Sequence, residues 1–237
     1  VAKNVALAAK AELVLVLKST VPVGTNEKVK AVVDAHATHP IMVASNPEFL
    51  KEGDAVNDFL KPDRIVVGAR EPRAFELLER LYLPFNRQRS RLHRMDPKSA
   101  EIVKYASNAM LATKISFMNE IALLCDAAGG DVEQVRIAVG SDRRIGYPFL
   151  YPGLGFGGSC FPKDLRALVR CIIDKQVDFP LFLLNACCQV NEGIGRLCLP
   201  QVCFQVAPGV VGIGKGRLQI EWPLQRVNVV STDRGVL

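Results

Sequence analysis

Hydrophobic residues in the first ninety positions form short continuous runs that are separated by amphipathic stretches. The runs at Leu13–Leu17, residues 41–44 and residues 64–68 have the length of strands. The first of them is continuously apolar rather than alternating, which predicts a parallel strand buried on both faces. Helical spacing predicts one helix from Thr25 to about Ala37 and another over residues 71–82. The order strand, helix, strand, strand, helix indicates an α/β fold.

From Asp96 onward the apolar positions recur at helical spacing. Asp96 is a candidate N-cap and Pro97 a first-turn residue, and the apolar stripe continues to Cys125 before Gly129 and Gly130 end it. A shorter helix is predicted for residues 131–139. So broad an apolar surface on a long helix is typical either of a dimer seam or of a helix buried within one subunit, and the pattern leaves both open.

Three segments therefore differ in character. We expect a partial dinucleotide-binding domain at residues 1–92, equivalent to the second half of a doubly wound Rossmann-type domain. A mainly α-helical central domain for dimerisation and catalysis is expected at residues 93–192. Residues 193–237 have seven glycines and only two acids, with no sustained periodicity, which indicates an atypical, poorly ordered tail. A shifted reading frame and a diverged extension both explain such a tail, and the chain is expected to be cut at its N-terminus.

Composition narrows the function classes. The chain has 237 residues, 49% of them hydrophobic, so it can bury a core. Its seven cysteines include no C-x-x-C pair, which argues against a zinc site or a disulfide framework and favours a reducing cytoplasm. No apolar run reaches the length of a membrane span. The net charge of +6 comes from scattered basic residues with few aromatics among them, so we expect no nucleic-acid partner. It suits either a phosphorylated small molecule or a solvated surface.

The most informative run is Gly-Phe-Gly-Gly-Ser-Cys-Phe-Pro-Lys-Asp at residues 155–164. Pro162 suits the first turn of a helix, so Cys160 is expected near a helix N-terminus with Lys163 close by. Free N–H groups, the helix dipole and a cation all favour the thiolate form of Cys160. The alternative for a cysteine is a small buried hydrophobe, which we prefer for four others: Cys125, Cys171, Cys187 and Cys188.

Polar residues after the predicted strands are the next candidates. Glu48 and Glu52 are four residues apart, so on one helical turn they would share a face and raise a pKa, which suits acid–base chemistry. The alternative is a solvated acidic turn. Thr20 ends the first strand, where its hydroxyl could meet a cofactor or a water molecule, although such a residue is usually only part of a turn.

Three further polar residues, Lys104, Asn108 and Asp164, each lie four residues, or about one helical turn, from another candidate residue. Lys104 and Asn108 lie on one face of the long helix, outside its apolar stripe. A lysine that faces a partly buried cleft can hold a developing oxyanion, whereas the alternative is a pair of solvated residues. Asp164 lies four residues after Cys160, so one turn could bring its carboxylate near the thiol.

Five short runs of the sequence resemble the UDP-glucose/GDP-mannose dehydrogenase family of nucleotide-sugar dehydrogenases, both in their order and in their spacing. They are residues 19–25, 46–53, 104–108, 144–146 and 155–164, and the similarity covers roughly residues 1–192. The resemblance implies an NAD-dependent oxidation of an alcohol to an acid in two steps. It implies UDP-glucose as the substrate, with GDP-mannose or another nucleotide sugar as the alternative, and a homodimer formed through the helical domain.

The resemblance also implies catalytic roles. Cys160 would capture the aldehyde as a thiohemiacetal, which a second hydride transfer turns into a thioester that water cleaves. Lys104 and Asn108 would steady the oxyanion at the reacting carbon, and Asp164 would position or activate water.

Binding roles are implied for the remaining positions. Glu52 would act as general base or orient water together with Thr20, and Arg144 would reach the nucleotide sugar of a neighbouring subunit. The implied cofactor-binding residues are Thr20, Glu52 and Lys163. The implied substrate-binding residues are Glu48, Phe49, Leu50, Lys104, Asn108, Arg144, Phe149, Tyr151 and Gly157. No metal is expected.

Full members of the family begin with a glycine-rich dinucleotide turn and end in a second nucleotide-binding domain. Neither pattern is present here, so little turnover is expected from the isolated chain. The competing hypothesis is an inactive remnant that serves only as a dimerisation module.

Overall fold

The structure is a computed structural model that describes residues 1–51, 53–85, 91–178, 180–205, 218–222 and 225–229. They form two compact units. The first unit comprises Val1–Ala109 and Lys163–Phe179, and the second comprises Met110–Pro162 and Pro180–Leu237. Two helices run from one unit into the other: α5 (Pro97–Ala128) and α7 (Phe161–Asp174).

The first unit is built on a four-stranded sheet in the order β1-β2-β3-β4. Its strands are β1 (Leu13–Leu17), β2 (Ile41–Ser45), β3 (Ile65–Gly68) and β4 (Leu92–Met95), and its remaining helices are α1 (Ala2–Ala8), α2 (Thr25–Asp34), α3 (Ala55–Leu60) and α4 (Pro72–Tyr82). β1 and β2 are parallel, as are β3 and β4, but β2 and β3 meet antiparallel at Ser45 and Gly68. The three predicted strands and the parallel direction of β1 are confirmed. The predicted burial of β1 on both faces is wrong, because β1 is the edge strand of this sheet and all five of its residues are only partly buried.

Helices cover both faces of this sheet. Successive residues of β2 point to opposite sides, so each side of the strand packs against different helices. Met42 and Ala44 pack in one core with residues of α4, and Ile41 and Val43 pack in another with residues of α1 and α2. All five residues of β2 are buried. This arrangement confirms the predicted Rossmann-type character of the first unit.

The long helix begins and ends where the sequence predicts. The Asp96 carboxylate accepts a hydrogen bond from the Ser99 N–H at 3.0 Å, which caps the N-terminus of α5. At the other end Gly129 has φ +74°, a conformation that favours glycine and stops the helix. β3 approaches α5 closely, since a Cβ on Gly68 would lie 2.5 Å from the Cβ of Ala100.

The second unit comprises the C-terminal part of α5, α6 (Val132–Gly140), α8 (Phe182–Gln205) and a hairpin of β5 (Leu218–Trp222) and β6 (Gln225–Val229). Its core contains Met118, Cys125, Val132 and Leu150. The Asp131 side chain accepts the Glu133 N–H at 2.8 Å and so caps α6.

The expectation that no helix would be sustained after residue 192 is wrong. α8 crosses that position and continues to Gln205, and the two strands of the hairpin pair antiparallel farther on. Gly193 and Gly195 each disfavour a helix by about 1 kcal/mol relative to alanine. Ile194 between them is buried, so the packing of α8 overrides this local preference. The division of the chain into domains at residues 92 and 192 stays a prediction.

No helix in the described part of the chain is both long and apolar enough to cross a membrane.

Candidate functional site

The carboxyl ends of β1 and β2 meet at one edge of the sheet, where a hydrogen-bonded network fixes Asn46. The Lys18 ammonium donates to Asn46 Oδ1 at 3.0 Å, and the Tyr82 hydroxyl donates to the same oxygen. Asn46 Nδ2 donates to the Val66 carbonyl at 2.7 Å. Burial lowers the pKa of the Lys18 ammonium, and the charge of Glu48 offsets part of that effect. This network, which sequence reasoning missed, anchors the start of the segment that carries Glu48, Phe49 and Leu50.

A pocket of about 290 Å³ opens beside this network. Glu48, Phe49, Leu50 and Arg64 are among the residues that line it. The Arg64 guanidinium lies 4.1 Å from the centroid of the Phe49 ring, and the Lys104 ammonium lies 5.4 Å from it. Two cations against one ring hold Phe49 in place, so the structure brings three predicted substrate residues together with Lys104.

Lys104 is 4% exposed, and its ammonium lies 2.9 Å from Glu48 Oε1. The other oxygen of Glu48 accepts the Leu50 N–H at 2.7 Å. Burial by itself would raise the pKa of the Glu48 carboxyl, but the Leu50 N–H and the Lys104 ammonium outweigh it, and the pKa is lowered. Glu48 is therefore an anion that orients Lys104.

The expectation of two carboxylates on one helical turn is wrong for the described residues, because residues 46–51 are not helical. The expected rise in pKa is wrong for Glu48, since its partners are donors rather than a second acid. Glu52 lies outside the described residues.

Asn108 follows Lys104 by one turn of α5 and binds Asp164. Its Nδ2 donates to Asp164 Oδ2 at 2.6 Å, and the two residues are 8% and 1% exposed. Asp164 Oδ1 is buried and accepts no hydrogen bond, although the Lys163 ammonium lies 3.2 Å from it. Lys104 and Asn108 are thus buried rather than solvated, and Asp164 keeps one oxygen that can accept a proton or a hydrogen bond.

Glu101 occupies the N-terminus of α2, another feature that sequence reasoning missed. Its two oxygens accept the Gly24 N–H at 2.6 Å and the Asn26 N–H at 2.9 Å. Burial raises the pKa of the Glu101 carboxyl, and these two hydrogen bonds offset the rise only in part. An acid three residues before Lys104 on the same helix was the only signal in the sequence.

Thr20 follows β1 and is half-buried. It lines a small cleft together with Ser19, Ser45, Glu101 and Lys104. The parallel β1–β2 edge with a hydroxyl at its carboxyl end fits a dinucleotide. The Gly24 and Asn26 amides at the N-terminus of α2 do not fit a phosphate, since Glu101 already accepts both of them. Within the described ranges, no group of three or more His, Cys, Asp or Glu side chains is placed to hold a metal ion.

Cys160 belongs to the second unit and directly precedes the first residue of α7. This confirms its predicted position at a helix N-terminus. The thiol is free and partly exposed, and its sulfur lies 3.7 Å from the Ser159 hydroxyl oxygen. Its partnership with Asp164 stays a prediction.

The other predicted residues of the second unit lie in the connection between α6 and α7, residues 141–160. The rings of Phe149 and Phe161 make an edge contact with centroids 6.1 Å apart. Tyr151 is exposed, with the Arg136 guanidinium 4.6 Å from its ring centroid, and a Cβ added to Gly157 would have no atom within 4 Å. Arg144 is also exposed and pairs with Asp142 in its own loop. The roles of Arg144, Tyr151 and Gly157 in binding stay predictions.

Comparison with known proteins gives a consistent match. The NAD binding domain of the UDP-glucose/GDP-mannose dehydrogenase family matches residues 1–86, and the central domain of the same family matches residues 98–193. A UDP-glucose 6-dehydrogenase of Pseudomonas aeruginosa is 54% identical over 162 residues, which are 66% of this chain and 36% of that protein. Another, of Bacillus subtilis, is 47% identical over 193 residues, 81% of this chain and 43% of that protein.

Among solved structures, a UDP-glucose dehydrogenase from the hyperthermophilic archaeon Pyrobaculum islandicum is similar, with a TM-score of 0.76 and 42% identity. The similarity covers 91% of this chain and 49% of that one. The chain spans less than half the length of each of these relatives.

Proposed function

The chain belongs to the UDP-glucose/GDP-mannose dehydrogenase family, as its motifs predicted, and we propose that it takes part in the NAD-dependent oxidation of UDP-glucose to UDP-glucuronate. One observation carries the proposal. Lys104–Glu48 and Asn108–Asp164 are two polar pairs, one helical turn apart, with Lys104, Asn108 and Asp164 buried and held in fixed geometry. Identities of 54% and 47% to UDP-glucose 6-dehydrogenases favour UDP-glucose over GDP-mannose as the substrate.

In the proposed reaction, Cys160 is the nucleophile. The primary alcohol is first oxidised to an aldehyde, and the Cys160 sulfur adds to its carbonyl carbon to give a thiohemiacetal. A second oxidation gives a thioester, and water then cleaves the carbon–sulfur bond to release the carboxylate and the thiol. NAD⁺ accepts the hydride in both oxidations and is the only oxidant that the proposal needs.

Lys104 and Asn108 stabilise the negative oxygen that develops at the reacting carbon. The Lys104 ammonium is already oriented by Glu48, so it does not have to reorganise during the reaction. Asn108 uses one N–H on Asp164 and keeps a second for the substrate oxygen.

Asp164 activates the water that cleaves the thioester. Its Oδ2 is engaged by Asn108, whereas its buried Oδ1 accepts no hydrogen bond, lies 3.2 Å from the Lys163 ammonium, and is the oxygen that takes a proton from water in this proposal. In this proposal Thr20 and Glu52 contact the cofactor and orient the attacking water. Lys163 approaches a phosphate of the cofactor or of the substrate.

The proposed homodimer is supported by a stripe on α5. Met110, Phe117 and Leu124 recur every seven residues, and they are 63%, 49% and 61% exposed. Seven-residue spacing keeps side chains on one face of a helix, and an exposed apolar stripe of this kind suits a second helix. Cys125, Cys160, Cys171 and Cys187 carry free thiols, which suit a reducing cytoplasm, and we include this location in the proposal.

A single-turnover experiment tests the function. The chain is mixed with UDP-glucose and NAD⁺ at concentrations near its own, so that slow chemistry stays visible, then quenched with acid and mapped by peptide mass spectrometry. We expect NADH, and a sugar-nucleotide adduct on Cys160 that is absent in Cys160→Ser. A folded chain that yields neither NADH nor adduct would overturn the proposal and favour an inactive module.

A further inference from the structure

The segment of residues 153–159, here called the glycine loop, leads directly into Cys160 and is held at two points by asparagine side chains. Asn119 on α5 accepts the Gly153 N–H through Oδ1 at 2.7 Å. Asn191 on α8 holds the middle of the loop. Neither asparagine has a place in the proposed chemistry.

The contact with Asn191 is a two-bond clamp on a single residue. Asn191 Oδ1 accepts the Phe156 N–H at 2.6 Å, and Asn191 Nδ2 donates to the Phe156 carbonyl at 3.0 Å. Only one orientation of the carboxamide allows both hydrogen bonds, since one atom must accept and the other must donate. The side chain thus pairs with the backbone of Phe156 as a neighbouring strand would.

Gly155 shows how closely the clamp fits. Its φ is +94°, and a Cβ at this position would lie 2.4 Å from Asn191 Oδ1. Glycine is required there for two independent reasons, the backbone conformation and the space taken by the asparagine.

The clamp is connected to Cys160 by aromatic contacts. Phe156 is buried, and its ring makes an edge contact with the Phe161 ring at 5.9 Å between centroids. Phe161 follows Cys160 in the chain and begins α7, and its ring also contacts Phe149 at 6.1 Å. Fixing Phe156 therefore restricts Phe161, and with it the backbone that carries the thiol.

We propose that Asn191 is a positioning residue for Cys160, which acts by clamping the glycine loop through the backbone of Phe156. The inference rests on the proposed function for its significance, because Cys160 is the nucleophile there. Its test, however, needs neither substrate nor cofactor, so a failure of one leaves the other standing.

The test compares the alkylation rate of each cysteine in the full chain, measured with iodoacetamide and peptide mass spectrometry. Asn191→Leu keeps the size of the side chain and removes both hydrogen bonds, and Asn191→Asp keeps the acceptor but sets a carboxylate against the Phe156 carbonyl. Asn185→Leu is the matched control, since Asn185 is an exposed residue of the same helix.

We expect the Cys160 rate to rise about fivefold or more in Asn191→Leu, the change that the net loss of one hydrogen bond produces. A smaller rise is expected in Asn191→Asp and none in Asn185→Leu. Cys171 and the buried Cys125 and Cys187 should keep their rates. An unchanged Cys160 rate would overturn the proposal, and so would a common rise at all cysteines, because Asn191 would then stabilise the fold in general.

Discussion

The Lys104 ammonium and the Glu48 carboxylate lie 2.9 Å apart, although 56 residues separate them in the chain. Lys104 comes from a helix and Glu48 from the segment after β2. The lysine side chain is 5% exposed and that of the glutamate 33%. Removing one partner of such a pair leaves a buried charge without compensation, which costs more than the pair itself contributes.

Replacement of Glu48 by glutamine should therefore destabilise the chain. The change keeps an acceptor for the Leu50 N–H but leaves the Lys104 charge unpaired. We expect a loss of about 1–3 kcal/mol in the free energy of unfolding, below the value for a fully buried pair because Glu48 is partly exposed. Urea unfolding measures it. Glu76→Gln, at an exposed pair with Arg73, should change the stability by less than about 0.5 kcal/mol. Equal effects of the two variants would show that the Lys104–Glu48 pair contributes no more to stability than an exposed pair.

The same variant should show a distinctive dependence on pH. The pKa of Glu48 is lowered in the folded chain, so the folded state binds its proton more weakly than the unfolded state, in which the glutamate pKa is about 4.3. The stabilisation is fully present above this value and is lost as the pH falls through the folded pKa. The stability difference between the native chain and Glu48→Gln should be constant from pH 6 to 8 and shrink below about pH 4.5. A stability difference that grows in acid would contradict the lowered pKa of Glu48 in the folded chain.

Asn108→Asp should destabilise the chain more as the pH rises. The new carboxylate would face Asp164 across the 2.6 Å contact at two buried positions, where two like charges cannot both persist. We expect a loss of about 2–4 kcal/mol at pH 8 and a smaller loss at pH 5, where the pair can share a proton. Asn185→Asp on the exposed face of α8 serves as the control. A loss that does not depend on pH would show that packing, not charge, explains the effect.

The stripe on α5 gives a prediction about assembly. Phe117→Glu places a charge in the middle of the proposed helix–helix contact, and the dimer should dissociate at micromolar concentrations, as measured by light scattering after size exclusion. Ile137→Glu introduces the same charge at an exposed residue of α6, which is 47% exposed against 49% for Phe117, and should leave the mass unchanged. A native chain that is already monomeric would remove the support for the dimer.

The fold was predictable where a local pattern carries it. Continuous apolar runs located β1, β2 and β3, and Asp96 with Pro97 located the start of the long helix. The reversal of β3 was not predictable, because burial on both faces leaves the same apolar pattern in either direction. β4 has only four residues and is half polar, so its pattern is too short to stand out.

The candidate site was predictable in its positions but not in its pairings. Spacing of four residues placed Lys104 and Asn108 side by side on one helix. Their partners Glu48 and Asp164 each lie 56 residues away, and no local pattern encodes so distant a contact. Asn191 was missed for a related reason. A single asparagine within a helix looks like a solvated residue until the loop that it clamps is folded against it.

The close fit at Gly155 predicts how two substitutions combine. Gly155→Ala must place an alanine at φ +94° and a Cβ 2.4 Å from Asn191 Oδ1, so we expect a loss of about 2–4 kcal/mol from backbone strain and the clash together. Gly157→Ala is the matched control in the same loop, where nothing lies within 4 Å of the added Cβ and no positive φ is required, and it should change the stability by less than about 1 kcal/mol. In a double-mutant cycle measured by urea unfolding, Asn191→Ala should relieve the clash but not the strain. The double variant should therefore lose less stability than the sum of the losses in the two single variants, by about 1 kcal/mol or more. Strict additivity would mean that the asparagine does not occupy the space that excludes a side chain at position 155.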